Sequence, residues 1–273
     1  MKVWRPMIDK KPIVEMRGVS KRYGGVQALN RAQIDIYAGE VHALVGDNAA
    51  GKSTLIKILS GAVAKDEGTI HFAGVEGNID SPRAAKALGI ETVYQDLALA
   101  DNLDVPSNIF LGRELTLKGV LRPFLDIRRM EEEARRLLER FKINIPSVRQ
   151  KVRSMSGGQR QSIAIARSVY FNAKIVILDE PTAALGVEET RKVYDLVREM
   201  RAQGLAVLMI SHNMNHVFEH ADRITVMKTG QVVGSRRTVE TSHEEILRMI
   251  VMGTAQPSPS PDPSGRQAFR AVG

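Results

Sequence analysis

Two short runs in this chain have the residue types and spacing to do chemistry. They are Gly46-Asp47-Asn48-Ala49-Ala50-Gly51-Lys52-Ser53 and Asp179-Glu180. The first follows the pattern G-x-x-x-x-G-K-S. That spacing lets a loop turn its backbone N–H groups inward around a chain of phosphates. An apolar run, Val41 to Val45, precedes it, and a helix is expected to open at Gly51. The positive end of that helix dipole would add to the cradle. Lys52 supplies a charge for the outer phosphates and Ser53 an oxygen for magnesium. Thr54 completes the set expected to bind nucleotide.

The second run ends an apolar strand, Ile175-Val176-Ile177-Leu178. Two adjacent acids at a strand's C-terminal edge are poor packing residues. Beside a phosphate loop they acquire roles: Asp179 to hold magnesium, directly or through water, and Glu180 to polarise the attacking water as general base. A third run, Ser156-Gly157-Gly158-Gln159, precedes an expected helix from Arg160 to Val169. Ser156 can cap that helix, and two glycines leave room for a phosphate. By itself this run reads as an ordinary flexible turn.

These residues need elements to position them. The first third of the chain reads as short strands: Ile13 to Val19, Ile34 to Tyr37, Val41 to Val45, Thr69 to Phe72 and Ile90 to Tyr94. From about Asp96 to Lys151 the strand signals fade. There Met130, Ala134, Leu137, Leu138 and Phe141 share one helical face, with Glu131–Arg135 and Glu132–Arg136 as i,i+4 pairs elsewhere on the helix. Strands then alternate again with helices: Lys174 to Asp179, helix Val187 to Gln203, Leu205 to Ser211. That alternation predicts a largely parallel sheet with a helical subdomain inserted over about residues 96–170. Thr229-Gly230 predicts a hairpin, and Ser242 to Met252 a last helix. One folded unit is expected over 12–253. The Pro257, Pro259, Pro261, Pro263 run makes 254–273 an expected disordered tail.

Composition bounds the rest. The chain has 273 residues, 43% of them hydrophobic, enough for a sizeable core. It has no cysteine, which excludes disulfides and thiolate metal sites. Net charge is +8, which suits phosphate ligands, nucleic acid or an anionic surface and equally a solvated basic face. The cluster Arg149, Lys151, Arg153 is read as such a face. No apolar run is long enough to span a bilayer, and Met1 to Lys11 has no signal-peptide core. Any membrane role is expected to run through a partner.

Taken in order, six elements resemble the ATP-binding-cassette (ABC) ATPases. Tyr23, in Ser20-Lys21-Arg22-Tyr23-Gly24, is similar to the aromatic that stacks on adenine. The phosphate loop follows. Gln95, in Val93-Tyr94-Gln95-Asp96, resembles the glutamine that senses magnesium and the transmembrane partner. Ser156 to Gln159 resembles the signature motif, with Met155 where leucine is usual. Asp179-Glu180-Pro181-Thr182 resembles the Walker B strand end, and His212 the switch histidine near the γ-phosphate. The resemblance covers about residues 13–250. Two positions depart from it. Ala49 stands where relatives often carry glycine, and Gly186, in Ala183-Ala184-Leu185-Gly186, stands where an aspartate is frequent. A left-handed backbone at Ala49 would cost about 1 kcal/mol. Loss of the aspartate puts cross-talk between two sites in question.

The resemblance implies an α/β P-loop NTPase fold. It has a mostly parallel core sheet, an antiparallel β subdomain and the inserted helices. It implies ATP and magnesium as ligands, hydrolysis of ATP, and a head-to-tail homodimer with each nucleotide between one copy's phosphate loop and the other's signature. The segments Tyr94 to Leu99, Asn108 to Glu114, Thr182 to Gly186, Ser211 to Met214 and Ala221 to Ile224 are similar to those of monosaccharide importers for ribose, xylose or fructose. That branch implies two permease subunits, a periplasmic sugar-binding protein, and a peripheral place on the cytoplasmic face of the inner membrane. The alternatives are a cassette for another small molecule, or one acting on nucleic acid or the ribosome. The chain lacks sustained heptads and a second cassette, which those last two carry.

Overall fold

The computed structural model describes residues 11–119 and 122–254. The tail from 255 and residues 1–10 lie outside the described residues, so the expectation of a disordered tail falls beyond them.

Two sheets form. β1 (Val14–Tyr23), β2 (Val26–Ile36), β4 (Glu67–Phe72) and β5 (Val75–Glu76) pair antiparallel in the order β2-β1-β4-β5. β1 runs four residues past the sequence expectation. The added length carries Tyr23 to its end, opposite Val26. The core sheet holds β3 (Val41–Gly46), β6 (Ile90–Val93), β7 (Ile175–Asp179), β8 (Ala206–Ile210), β9 (Arg223–Lys228) and β10 (Gln231–Arg237). Its order is β10-β9-β3-β8-β7-β6, parallel throughout except for the β9–β10 hairpin. Thr229 (φ 47°) and Gly230 (φ 76°) make the predicted two-residue turn, with the positive φ values that a right-twisted hairpin needs.

The parallel strands are buried on both faces, which is why they read as continuous apolar runs. Side chains alternate between two cores. Val176 and Leu178 face one, Ile175 and Ile177 the other. α1 (Lys52–Leu59) packs in the second core through Leu55, Ile56, Ile58 and Leu59. α2 (Pro82–Ala87) is a short helix, capped by Ser81, with too few residues to show a helical period in the sequence. α3 (Val105–Ile109), α4 (Ile127–Arg140) and α5 (Gly157–Tyr170) fill the stretch after β6, followed by α6 (Val187–Ala202), α7 (Met214–His220) and α8 (His243–Met252). The stripe Met130, Ala134, Leu137 and Leu138 is buried against the first core. Among the described residues no helix is long and apolar enough to cross a membrane.

One expected ion pair is rearranged. Glu132 does meet Arg136 at 3.7 Å, but Glu131 turns from Arg135 to Arg149, whose guanidinium meets it at 2.8 and 3.0 Å. A forked guanidinium matches two carboxylate oxygens at once, which an i,i+4 arginine on the same helix does not do here. Arg149 thereby links the stretch before α5 to α4 while staying exposed, as do Lys151 and Arg153, which is the solvated basic face expected from the sequence.

β3 buries one titratable group, His42. Its Nε2 is hydrogen-bonded with Thr225 Oγ1 at 2.6 Å, and Thr225 Oγ1 with Ser235 Oγ at 2.9 Å. Burial, with Arg223 nearby, pushes its pKa down to about 3. The imidazole is therefore neutral in the fold, and protonation favours the unfolded chain. Its contribution is complete above about pH 6.5 and is lost as pH falls toward 3. Between pH 7 and 4.5 the wild type should lose about 2.5 kcal/mol more than His42→Gln, read from urea unfolding at the two pH values. Equal losses would show that this ring does not set the acid limb.

Candidate functional site

The phosphate loop leaves β3 at Gly46 and enters α1 at Lys52. Gly46 has φ 148°, and a Cβ there would lie 2.1 Å from the Met227 carbonyl oxygen. Gly51 has φ 100° and would collide with the Ala28 carbonyl at 2.7 Å. Both positions therefore demand glycine for backbone angle and for space. Ala49 does adopt φ 62°, so the strain anticipated from the sequence is present, about 1–2 kcal/mol. The loop still closes: Ala50 N–H donates to Asp47 O at 3.1 Å. Asn48 and Ala49 sit exposed on its rim.

A second turn buttresses this loop, one whose residues signal only a hairpin in the sequence. Gly230 N–H donates to Ala50 O at 3.0 Å, and Gly230 O accepts from Asn30 N–H at 2.9 Å. The β9–β10 turn and β2 thus hold the loop from behind. A glycine at a hairpin tip was the only local signal, and it does not say what the tip touches.

Lys52 Nζ donates to Gly46 O at 2.7 Å and Asp47 O at 2.9 Å, so the ammonium lies folded over the loop. Burial pulls its pKa down, while Glu180, Asp47 and Asp179 push it back up. Asp179 ends β7, half-buried. Burial and the neighbouring Glu180 raise its pKa; Lys52 and Lys57 lower it. Glu180 follows with φ 49°, a left-handed backbone costly for a side chain with a Cβ. Its N–H donates to Ile210 O at 3.1 Å, which holds it at the end of β8. There its carboxylate meets His212 Nδ1 at 3.2 Å.

The fold therefore gathers Lys52, Asp179, Glu180 and His212 at the C-terminal edge of adjacent parallel strands, where α/β sheets hold ligands. Ser53 and Thr54 lie on the first turn of α1, Ser53 exposed. Gln95 is exposed two residues past β6, the strand beside β7. Tyr23 is 44% exposed at the end of β1, with Lys21 Nζ 5.7 Å from its ring centre. The Ser156 turn lies elsewhere, against Leu185 and Glu189. Ser156 caps α5 in a reciprocal box: its oxygen accepts from Gln159 N–H at 3.3 Å, and its N–H donates to Gln159 Oε1 at 3.0 Å.

Residues 29–183, more than half of the chain, match the family model for ABC transporters. The chain belongs to that family. As a member it binds and hydrolyses ATP. It is 48% identical over 238 residues to the xylose/arabinose import ATP-binding protein XylG of Sulfolobus acidocaldarius, covering 87% of this chain and 93% of that one. It is 49% identical over 226 residues to the fructose import ATP-binding protein FrcA of Rhizobium meliloti, covering 81% and 87%. Against the ribose import ATP-binding protein RbsA of Yersinia pestis it is 38% identical, over 89% of this chain but only 47% of the relative. A nucleotide-free ATP-binding cassette from an ABC transporter superposes with TM-score 0.75 at 25% identity, covering 88% and 95% of the two chains. The ADP conformation of an ATP-binding cassette of an ABC transporter superposes with TM-score 0.74, also at 25% identity, covering 89% and 96%.

Proposed function

We propose that this cassette powers monosaccharide uptake, of the fructose, ribose or xylose type, through a separate membrane permease. What carries the reading is the pair of relatives named as sugar importers, each matched over nearly its full length at close to half identity. On this reading the chain sits on the cytoplasmic face of the inner membrane, with two permease subunits and a periplasmic sugar-binding protein. No segment of the cassette touches sugar.

The site's work is the same for any cargo. Loop N–H groups and Lys52 hold the β- and γ-phosphates, and Tyr23 stacks on the adenine. Glu180 takes a proton from water as the oxygen attacks the γ-phosphorus. The bond from that phosphorus to the bridging oxygen of ADP breaks, and phosphate leaves. His212, whose Nδ1 lies 3.2 Å from the Glu180 carboxylate, orients that acid and contacts the γ-phosphate on this reading. The donor set suits magnesium: Ser53, Asp179 and Gln95 offer oxygens. Among the described residues no three acidic or histidine side chains gather into a cage. Magnesium is commonly bound through one or two protein ligands with substrate phosphates and water completing the shell. When bound it would neutralise charge on the phosphate oxygens.

A lone phosphate loop leaves one side of the γ-phosphate open to water. The Ser156-Gly157-Gly158 turn of a second copy would close that side, giving a head-to-tail pair. Co-expression with candidate monosaccharide permeases, followed by reconstitution in lipid discs, tests the assignment. ATP turnover should rise several-fold when a pentose- or hexose-loaded binding protein is added, the size of gain a ligand-biased two-state element gives. Failure to bind any permease, with stimulation by RNA or DNA instead, would overturn it.

A further inference from the structure

The pair of glycines at 157–158 suggests space left for a phosphate. The structure fills part of that space from within the same chain. Glu189, on the first turn of α6, packs so closely on Gly158 that a Cβ there would lie 2.8 Å from its Cβ and 3.0 Å from its Cγ. Its Oε2 lies 3.8 Å from the position of a Cβ on Gly157. The carboxylate reaches the Ser156 hydroxyl and the Gly158 N–H, which hold its pKa below the usual carboxylate range. It also accepts from Gly186 N–H at 3.4 Å, capping α6 where Gly186 offers no side chain.

An anion is thus already seated at the N-terminus of α5, on the donors that a second copy's γ-phosphate would use. We propose that Glu189 is an internal competitor for the signature turn, a positioning residue that ATP on the partner copy must displace before two cassettes close. The inference rests on the sandwich reading above. The displaced carboxylate has somewhere to go. Lys192, exposed one turn along α6, attracts it. Because Glu189 also reaches Gly186, its release frees the turn after Glu180 in the same chain. Occupation of one site's signature would then be felt at the other site's acid, a coupling that an aspartate at position 186 cannot supply here.

The test uses Glu180→Gln, which should hold ATP without turning it over, with and without Glu189→Gln added. Sedimentation against ATP concentration gives the midpoint of pairing; a fluorescent ATP analogue gives affinity in the unpaired chain. Glu189→Gln keeps size and packing but removes the charge. The midpoint should fall about five- to tenfold while affinity in the unpaired chain stays unchanged, since a charged acceptor is replaced by a weaker neutral one at two interfaces. A merely structural role would move both readouts or neither. If the midpoint stays or rises while Glu180→Gln alone still pairs, the competitor role is wrong and the sandwich stands. If Glu180→Gln does not pair at saturating Mg-ATP, the sandwich reading fails and this one falls with it.

Discussion

Replacing Glu180 by glutamine will leave ATP bound and stop its hydrolysis. Turnover should fall by about 10²–10⁴-fold, the usual contribution of a placed general base. Three features lead to that expectation. Glu180 is held by its own backbone, with N–H on Ile210 O and a left-handed φ of 49°, so its direction is set before substrate arrives. Its neighbour Asp179 carries the burial and the Lys52 interaction expected of a magnesium ligand, leaving Glu180 free to take a proton. His212 meets its carboxylate at 3.2 Å. Glutamine has the same size and can keep that contact, but it cannot accept a proton from water. The variant also removes a negative charge facing the γ-phosphate, so affinity for ATP should hold or rise. Phosphate release and equilibrium binding measured side by side separate these effects. Wild-type turnover in the variant would move the base elsewhere.

Lys52→Ala should weaken nucleotide binding about 10- to 100-fold, from the loss of charge-assisted hydrogen bonds to the outer phosphates. In the structure Lys52 donates to two loop carbonyls, Gly46 O and Asp47 O. Those bonds are partly exposed and replaceable by water, so the empty protein should melt close to wild type. The nucleotide is different. The wild type gains stability as RT ln(1 + [ATP]/Kd), and the variant should lose most of that gain at the same ATP concentration. Thermal melts with and without ATP read this directly. A second consequence follows from the site's electrostatics. Lys52 is the first of the groups holding down the Asp179 carboxyl against burial and Glu180. Without it that carboxyl rises further, and magnesium-dependent binding should shift its acid limb to higher pH. An unchanged ATP-induced melting shift would remove Lys52 from the cradle.

The two variants probe different steps, binding and chemistry, at residues brought together from distant parts of the chain. Ala49 shows that the loop tolerates some strain. Its φ of 62° costs a little, yet Ala50, Lys52 and Gly230 still close the loop around it. The consequence of Gly186 is also visible: Glu189 supplies the cap that Gly186 lacks.

Much of this was legible in the amino-acid sequence alone. The phosphate loop, the Walker-type strand end and the cap of α5 are local patterns, and each is governed by neighbours within a few residues. The apolar runs of β3, β7 and β8 and the stripe on α4 carry their own period, so the parallel sheet and the inserted helices could be read as well. Short α2 and α7 could not, because six or seven residues hold too little period to separate from loop. What only the tertiary structure decided are contacts between residues far apart in the chain. Gly230 supports Ala50, His212 meets Glu180, Arg149 draws Glu131 away from Arg135, and Glu189 occupies the glycine-lined turn at 157–158. No spacing rule links such pairs. They exist because sheet order and helix packing bring chosen loops to one edge, and that order is a property of the whole core.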